Sequence, residues 1–181
     1  MSPTTQPQHG RILLMAKTLY LLRHAEASQA EFGISDYDRS LVPHGEDQAI
    51  QIATYIRNKI INFDFVMCSS ALRTQQTLEP IRDFLTTSEI DINPQYYNIS
   101  ADQILEYVQL TPDSVQTLLY IGHNPGIAFT ALRLIPQDGS HAFIEKGYPP
   151  AGLSGFTLDI NSWKDSDWGC GQLLEFYNPD A

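Results

Sequence analysis

Basic residues are scarce in this chain: 11 Lys and Arg stand against 21 Asp and Glu, a formal net charge of −10 at pH 7. A surface of that sign repels nucleic acid and anionic lipid, whose binding depends on neutralising phosphates with many cations, so neither partner is expected. An anionic ligand would have to be held by local charge against the field of the whole molecule. Cysteine is scarcer still. Cys68 and Cys170 are too few for a disulfide framework and form no metal-ligand cluster with the scattered histidines, which leads to the expectation of reduced thiols in a cytoplasmic protein. No segment reaches the run of about 18 apolar residues that a membrane span needs. Internal repeats and low-complexity blocks are also missing. Residues 1–10 are polar and rich in Pro and Gln, without the basic start and apolar centre of a secretory signal. With a second methionine at Met15, residues 1–16 are expected to be a flexible extension and residues 17–181 a single domain.

What is present is enough for one core: 181 residues, 43% hydrophobic. Thr18 to Leu22 is a short apolar run suited to a strand buried on both faces, and it stops on Arg23-His24. Asp64 to Cys68 repeats the pattern and stops on Ser69-Ser70, and Val115 to Ile121 repeats it again before Gly122-His123. Pro43 to Lys59 has helical spacing with acids near its start, Ser70 can cap a helix carrying Arg73 in its first turn, Asn93 to Ile99 reads as a weak strand or loop, and Ala101 to Leu110 as a short helix. Asn124 as cap and Pro125 at the first helical position predict a further helix through Leu134. Leu153 to Ile160 and Gln172 to Tyr177 read as an antiparallel strand pair, whereas Pro136 to Gly152 is irregular and suits the rim of a site. This order predicts an α/β fold: a three-layer α/β/α sandwich with a mostly parallel central sheet and a C-terminal antiparallel strand pair.

Buried strands that end on polar residues deliver them to the carboxyl edge of the sheet, where open α/β folds gather ligands. Arg23-His24 is one such candidate, with a surface turn as the alternative. Arg73 at a helix N-terminus opposes the helix dipole unless an anion is bound beside it, the alternative being a solvated arginine offset by Glu79 or Asp83. His123 taken alone is more often structural than catalytic.

Together the motifs Leu22-Arg23-His24-Ala25, Ser69-Ser70-Ala71-Leu72-Arg73-Thr74 and Gly122-His123-Asn124-Pro125-Gly126, in that order, resemble the histidine phosphatase superfamily, also called phosphoglycerate mutase-like. The short SixA-type branch is the nearest in pattern, since Asp36-Tyr37-Asp38-Arg39-Ser40-Leu41 and Gly147-Tyr148-Pro149-Pro150 also look like segments of that branch. The resemblance implies that His24 attacks phosphorus and forms a phosphohistidine intermediate, that Arg23, Arg73 and His123 hold the phosphoryl oxygens, and that neither metal nor other cofactor is needed. Paired guanidinium forks suit this, because a phosphoryl group carries about −1.5 to −2 charge and repels a nucleophile until its oxygens are neutralised. Arg39 is expected to contact phosphate or substrate, with an ion pair to Asp36 or Asp38 as the alternative.

The sequence departs from much of the superfamily at the residue that protonates an ester leaving group. The segment where broader members carry an acid reads Gln95-Tyr96-Tyr97-Asn98-Ile99-Ser100, with no carboxylate before Asp102. An alkoxide needs a proton, whereas the basic nitrogen of phosphohistidine leaves with less help. The expectation is a phosphohistidine substrate on a protein, such as a histidine phosphotransfer domain. Glu26, Asp36 and Asp102 remain carboxylates that could still reach the site, and a small phosphoester or mere phosphate binding is the alternative.

Overall fold

The run after Lys17 forms β1 (Lys17–Arg23), and its alternation sends Leu19 and Leu21 to one face of the sheet and Tyr20 and Leu22 to the other. A computed structural model describes residues 16–30, 32–85, 89–136 and 147–181, so the expected extension 1–16 lies outside it except for Ala16. The chain continues through α1 (Pro43–Lys59), β2 (Phe65–Ser69), α2 (Leu72–Arg82), β3 (Glu89–Asn93), α3 (Ala101–Gln109), β4 (Thr117–Gly122) and α4 (Gly126–Leu134). It ends in β5 (Leu153–Leu158) and β6 (Gly171–Tyr177).

Among the described residues the strands form one six-stranded sheet in the order β3-β2-β4-β1-β5-β6. The first four in that order are mutually parallel; β5 runs antiparallel to β1, and β6 antiparallel to β5. Two apolar clusters cover its faces. Leu19, Leu21 and Leu118 pack with Ile104 and Val108 of α3 and Ile127 and Ala131 of α4. Tyr20, Leu22 and Leu119 pack with Ile52 and Ile56 of α1 and Leu78 and Ile81 of α2. Each aliphatic side chain so buried contributes about 1.5–3 kcal/mol relative to exposure, which is why central strands buried on both faces read as unbroken apolar runs. The three-layer sandwich is as the alternation of elements predicts.

Three local expectations need correction. Of the two readings of Asn93 to Ile99, weak strand or loop, the loop holds beyond Asn93, with a single 3-10 turn at Pro94–Tyr96; the strand lies earlier, at β3, a half-exposed edge strand whose alternating Glu-Ile-Asp-Ile-Asn pattern is too short and polar to stand out. Ser70 does not cap α2: Ala71 takes that position, and the Ser70 hydroxyl is occupied by the Tyr37 hydroxyl at 2.5 Å. Asn124 does not cap α4 either. Pro125, after a cis peptide bond, takes the cap position, and Asn124 Nδ2 donates to the Tyr148 carbonyl at 3.0 Å. Most of the Pro136 to Gly152 stretch, expected at the rim, falls on residues 137–146, outside the described residues; Pro150 does line the pocket.

Helix α1 ends on Ile60 in the left-handed region (φ 56°, ψ 39°), a β-branched residue where glycine is the relaxed choice, and its side chain is 79% exposed. Ile60→Gly is expected to raise stability by about 1 kcal/mol, because strain is relieved and almost no packing is lost. Urea unfolding monitored by circular dichroism should show a higher midpoint with an unchanged slope.

Candidate active site

The register of the sheet brings the motifs together. Arg23 at the end of β1 is level with Gly122 of β4, and Cys68 of β2 is level with Ile121, so His24, His123 and Ser69 emerge side by side from three adjacent strands. Close backbone approach fixes the segment after His24. A Cβ on Gly45 of α1 would lie 2.0 Å from the Glu26 carbonyl oxygen, so only glycine lets the helix pass there.

His24 is 9% exposed, and its Nδ1 lies 2.7 Å from the Ala25 carbonyl oxygen. A carbonyl can only accept, so Nδ1 carries the proton and Nε2 keeps its lone pair. Arg73 Nε donates to that lone pair at 3.3 Å. His123 has the opposite tautomer: Arg73 Nη2 donates to its Nδ1 at 3.2 Å, and its Nε2 donates to Ser69 Oγ at 2.8 Å. The two rings are 5.2 Å apart. Burial, reinforced by the neighbouring arginines, pushes His24 down to about 4, against the opposing pull of the Ala25 carbonyl. Burial together with His24 and Arg73 pushes His123 down to about 3. Both imidazoles are neutral at physiological pH.

Arg73 is 2% exposed, so it is not the solvated arginine of the alternative reading; Glu79 pairs with Arg82 instead. Its remaining donors go to Asp36, with Nη1 on the backbone carbonyl and Nη2 on the carboxylate at 3.0 Å. Arg39 grips the same carboxylate from the other side, Nε at 2.9 Å and Nη2 at 2.8 Å from Oδ1, while its Nη1 donates to the Ser28 carbonyl. Arg39 thus makes the ion pair with Asp36 and also lines the pocket. The Tyr97 hydroxyl donates to Asp36 Oδ2. These contacts, led by Tyr97 and including both arginines, hold the Asp36 carboxyl down at about 2. Arg23 Nη1 donates to the Tyr148 carbonyl at 2.6 Å, and its buried Nε has no protein partner.

Arg23, His24, Arg39, Arg73 and His123 all line one cavity of about 360 Å³ with Asp36 at its edge. A larger cavity, about 500 Å³, lies at the other end of β1 between Lys59 and Glu175 and contains none of the motif residues. Of the other two carboxylates left open by the sequence, Glu26 is exposed on the pocket wall, 3.9 Å from His44, and Asp102 is on the outer surface paired with Arg133. Among the described residues no group of three or more His, Cys, Asp or Glu is placed to hold a metal ion, and no helix is long and apolar enough to cross a membrane.

Sequence reasoning missed Tyr97, whose ring stands edge-on to His123 at 5.2 Å and edge-on to Tyr37 at 5.0 Å. Its segment was informative only for lacking an acid. Ser69 was legible only as the residue on which a strand stops, yet its Oγ accepts the hydrogen bond from His123 Nε2. Nothing in the local sequence marks the Tyr148 carbonyl, whose role as acceptor for Arg23 and Asn124 depends on a segment distant in the chain.

Residues 19–104 match the family model described as "Histidine phosphatase superfamily (branch 1)". An uncharacterised protein of Mycobacterium tuberculosis is 30% identical over 166 residues, covering 87% of this chain and 99% of its own length. The chain belongs to the histidine phosphatase superfamily. It falls with the SixA-like branch: phosphohistidine phosphatase SixA of Escherichia coli is 26% identical over 153 residues, 83% of this chain and 91% of its own. The crystal structure of a candidate phosphohistidine phosphatase SixA from Agrobacterium tumefaciens superposes with a TM-score of 0.79 at 28% identity, covering 90% of this chain and 98% of that one. Superfamily membership agrees with the α/β fold and with the clustering of Arg23, His24 and His123 at strand ends beside Arg73 in the first turn of α2.

Both histidines have pKa values below that of an unfolded histidine, about 6.5, so between about pH 6.5 and 4 the unfolded chain binds protons that the native state does not. Stability should be constant above about pH 6.5 and fall as the pH is lowered through that window. Carbon-bound proton shifts of His24 and His123, followed by NMR, should show no titration above pH 5; a midpoint at 6 or higher for His24 would contradict the buried neutral tautomer.

Proposed function

We propose that this phosphatase hydrolyses phosphohistidine on a protein through a covalent intermediate on His24. The single observation that carries the choice of substrate is the state of Asp36. Among the described residues it is the carboxylate hydrogen-bonded to Arg73, and its partners hold it ionised, so it is unsuited to hand a proton to an alkoxide at neutral pH. A phosphoramidate nitrogen does not require that proton.

In this reading the phosphoryl group enters the cavity with its oxygens facing the guanidinium donors of Arg23 and Arg73, while His123 Nδ1 accepts from Arg73 and holds that guanidinium in place. The orphaned Nε–H of Arg23 gains a partner at the same time. Arginine forks bind pairs of oxygens and leave phosphorus open on the side of His24. The lone pair of His24 Nε2 forms the new P–N bond as the substrate's P–N bond breaks and its electron pair returns to the departing ring. The Ala25 carbonyl holds Nδ1–H throughout and steadies the positive charge that develops on the His24 ring. Water then attacks the phosphoryl-His24, releasing inorganic phosphate and restoring the neutral imidazole. SixA-type relatives named as phosphohistidine phosphatases support the same substrate.

Phosphate release from a phosphohistidine peptide and from p-nitrophenyl phosphate, measured side by side, tests this. The expected outcome is His24-dependent release from phosphohistidine with slower ester hydrolysis; dominant ester hydrolysis would favour a small phosphoester as substrate. His24→Ala should lower turnover by about a thousandfold or more while circular dichroism shows an intact fold, because the apolar body of β1 is untouched. Arg73→Lys should cost at least about tenfold in kcat/KM, since an ammonium cannot replace the fork that meets His24, His123 and the phosphoryl group together.

A further inference from the structure

Arg73 lies across the pocket like a ruler. Its Nε is 3.3 Å from His24 Nε2, and its Nη2 is 3.2 Å from His123 Nδ1 and 3.0 Å from Asp36 Oδ2. Asp36 therefore stands one guanidinium width out from the attacking nitrogen, on the solvent side, with its side chain 48% exposed. A phosphoryl group poised over His24 Nε2 needs the donors of Arg73, and one of them is in the hands of this carboxylate. The two anions compete for the same N–H groups.

Losing Arg73 does not release Asp36 from the mouth of the pocket. Arg39 holds Oδ1 through two nitrogens, and Tyr97 donates to Oδ2. The loop itself is pinned on both sides: Tyr37 to Ser70 at the start of the α2 segment, and Ser35 Oγ to Asp38 at 2.6 Å. Burial and Asp36 raise the Tyr97 phenol above its ordinary value, so it remains a donor and not a second anion. In-line displacement puts the leaving group opposite His24, and Asp36 is held across the Arg73 guanidinium from His24 Nε2, within the same pocket lining.

We propose that Asp36 selects the leaving group: displaced from Arg73 by the phosphoryl group but tethered by Arg39, its carboxylate accepts a hydrogen bond from the N–H of a departing imidazole and repels a departing oxyanion. This rests on the phosphohistidine reading above and deepens it. The protons balance without any transfer from the protein. A phosphohistidine protonated on its free ring nitrogen is an imidazolium; as its P–N bond breaks, the electron pair neutralises the ring, which leaves with its N–H intact. Asp36 stays ionised from start to finish. A charge-assisted hydrogen bond to that N–H favours the protonated, labile form of the substrate. Beside a phenolate or an alkoxide the same charge is unfavourable.

The test compares wild type with Asp36→Asn, and with Asp36→Ser as a second variant, in kcat/KM for an N-phosphohistidine peptide and for p-nitrophenyl phosphate. The expected result is that the ratio of the two falls by about tenfold or more, a loss of about 1.4 kcal/mol in discrimination, while inhibition by inorganic phosphate tightens because the anion that competes with it for Arg73 is removed. A ratio within about twofold of wild type in both variants overturns the proposal whatever the absolute rates do, since it would mean that Asp36 only positions Arg73. Thermal melting of each variant confirms that folded proteins are being compared. Wild type that cleaves the ester and not the phosphohistidine overturns the functional reading itself, and that outcome is visible without any variant.

Discussion

The buried guanidinium of Arg73 is the constraint on which the site depends. Taking a permanent cation out of water costs several kcal/mol unless its donors are satisfied and an opposite charge is near. Here Nε and Nη2 reach His24 and His123, and Nη1 and Nη2 reach Asp36. Satisfying this one side chain therefore draws the ends of β1 and β4, the first turn of α2 and the loop after β1 into a single arrangement. The order of the strands makes that possible, because β2, β4 and β1 are neighbours and their ends are level.

The same cation sets the chemistry of the histidines. A guanidinium at hydrogen-bond distance disfavours a second positive charge, and burial adds to this, so both rings remain neutral and each presents a lone pair to Arg73. Their tautomers are then dictated by acceptors on the far side, the Ala25 carbonyl for His24 and Ser69 Oγ for His123. A molecule with a net charge of −10 thus concentrates three of its arginines around one small cavity, two of them paired with the Asp36 carboxylate. The long-range field discourages anions in general, while the short-range donors favour a dianion that can reach all of them at once.

Much of this was legible in the chain. Apolar runs within 18–22, 64–68 and 115–121 announce strands covered on both faces, since only double burial removes the polar alternation. Polar residues at the ends of those runs announce the edge where a site forms, and the three motifs carry the family. The edge strand β3 was not legible: its five residues bury one side only and carry Glu89 and Asp91, so its composition is that of a loop. The caps of α2 and α4 were not legible for a different reason. Ser70 and Asn124 have the right chemistry to cap, but residues distant in sequence engage both side chains: Ser70 Oγ bonds the Tyr37 hydroxyl, and Asn124 is anchored by Nδ2 to the Tyr148 carbonyl.

The sequence by itself determined the layer architecture and brought polar residues to the strand ends, because periodicity and strand-end placement are local properties that survive any detail of packing; it was the resemblance of the three motifs to a family that joined His24, Arg23, Arg73 and His123 into one constellation. It also brought Arg39 and Asp36 forward together. Only the tertiary structure decided which of Glu26, Asp36 and Asp102 meets Arg73, and which nitrogen of each imidazole bears the proton. Those outcomes depend on distances of about 3 Å between side chains carried by different elements, and on the burial that shifts their charge, neither of which has any signature along a single chain.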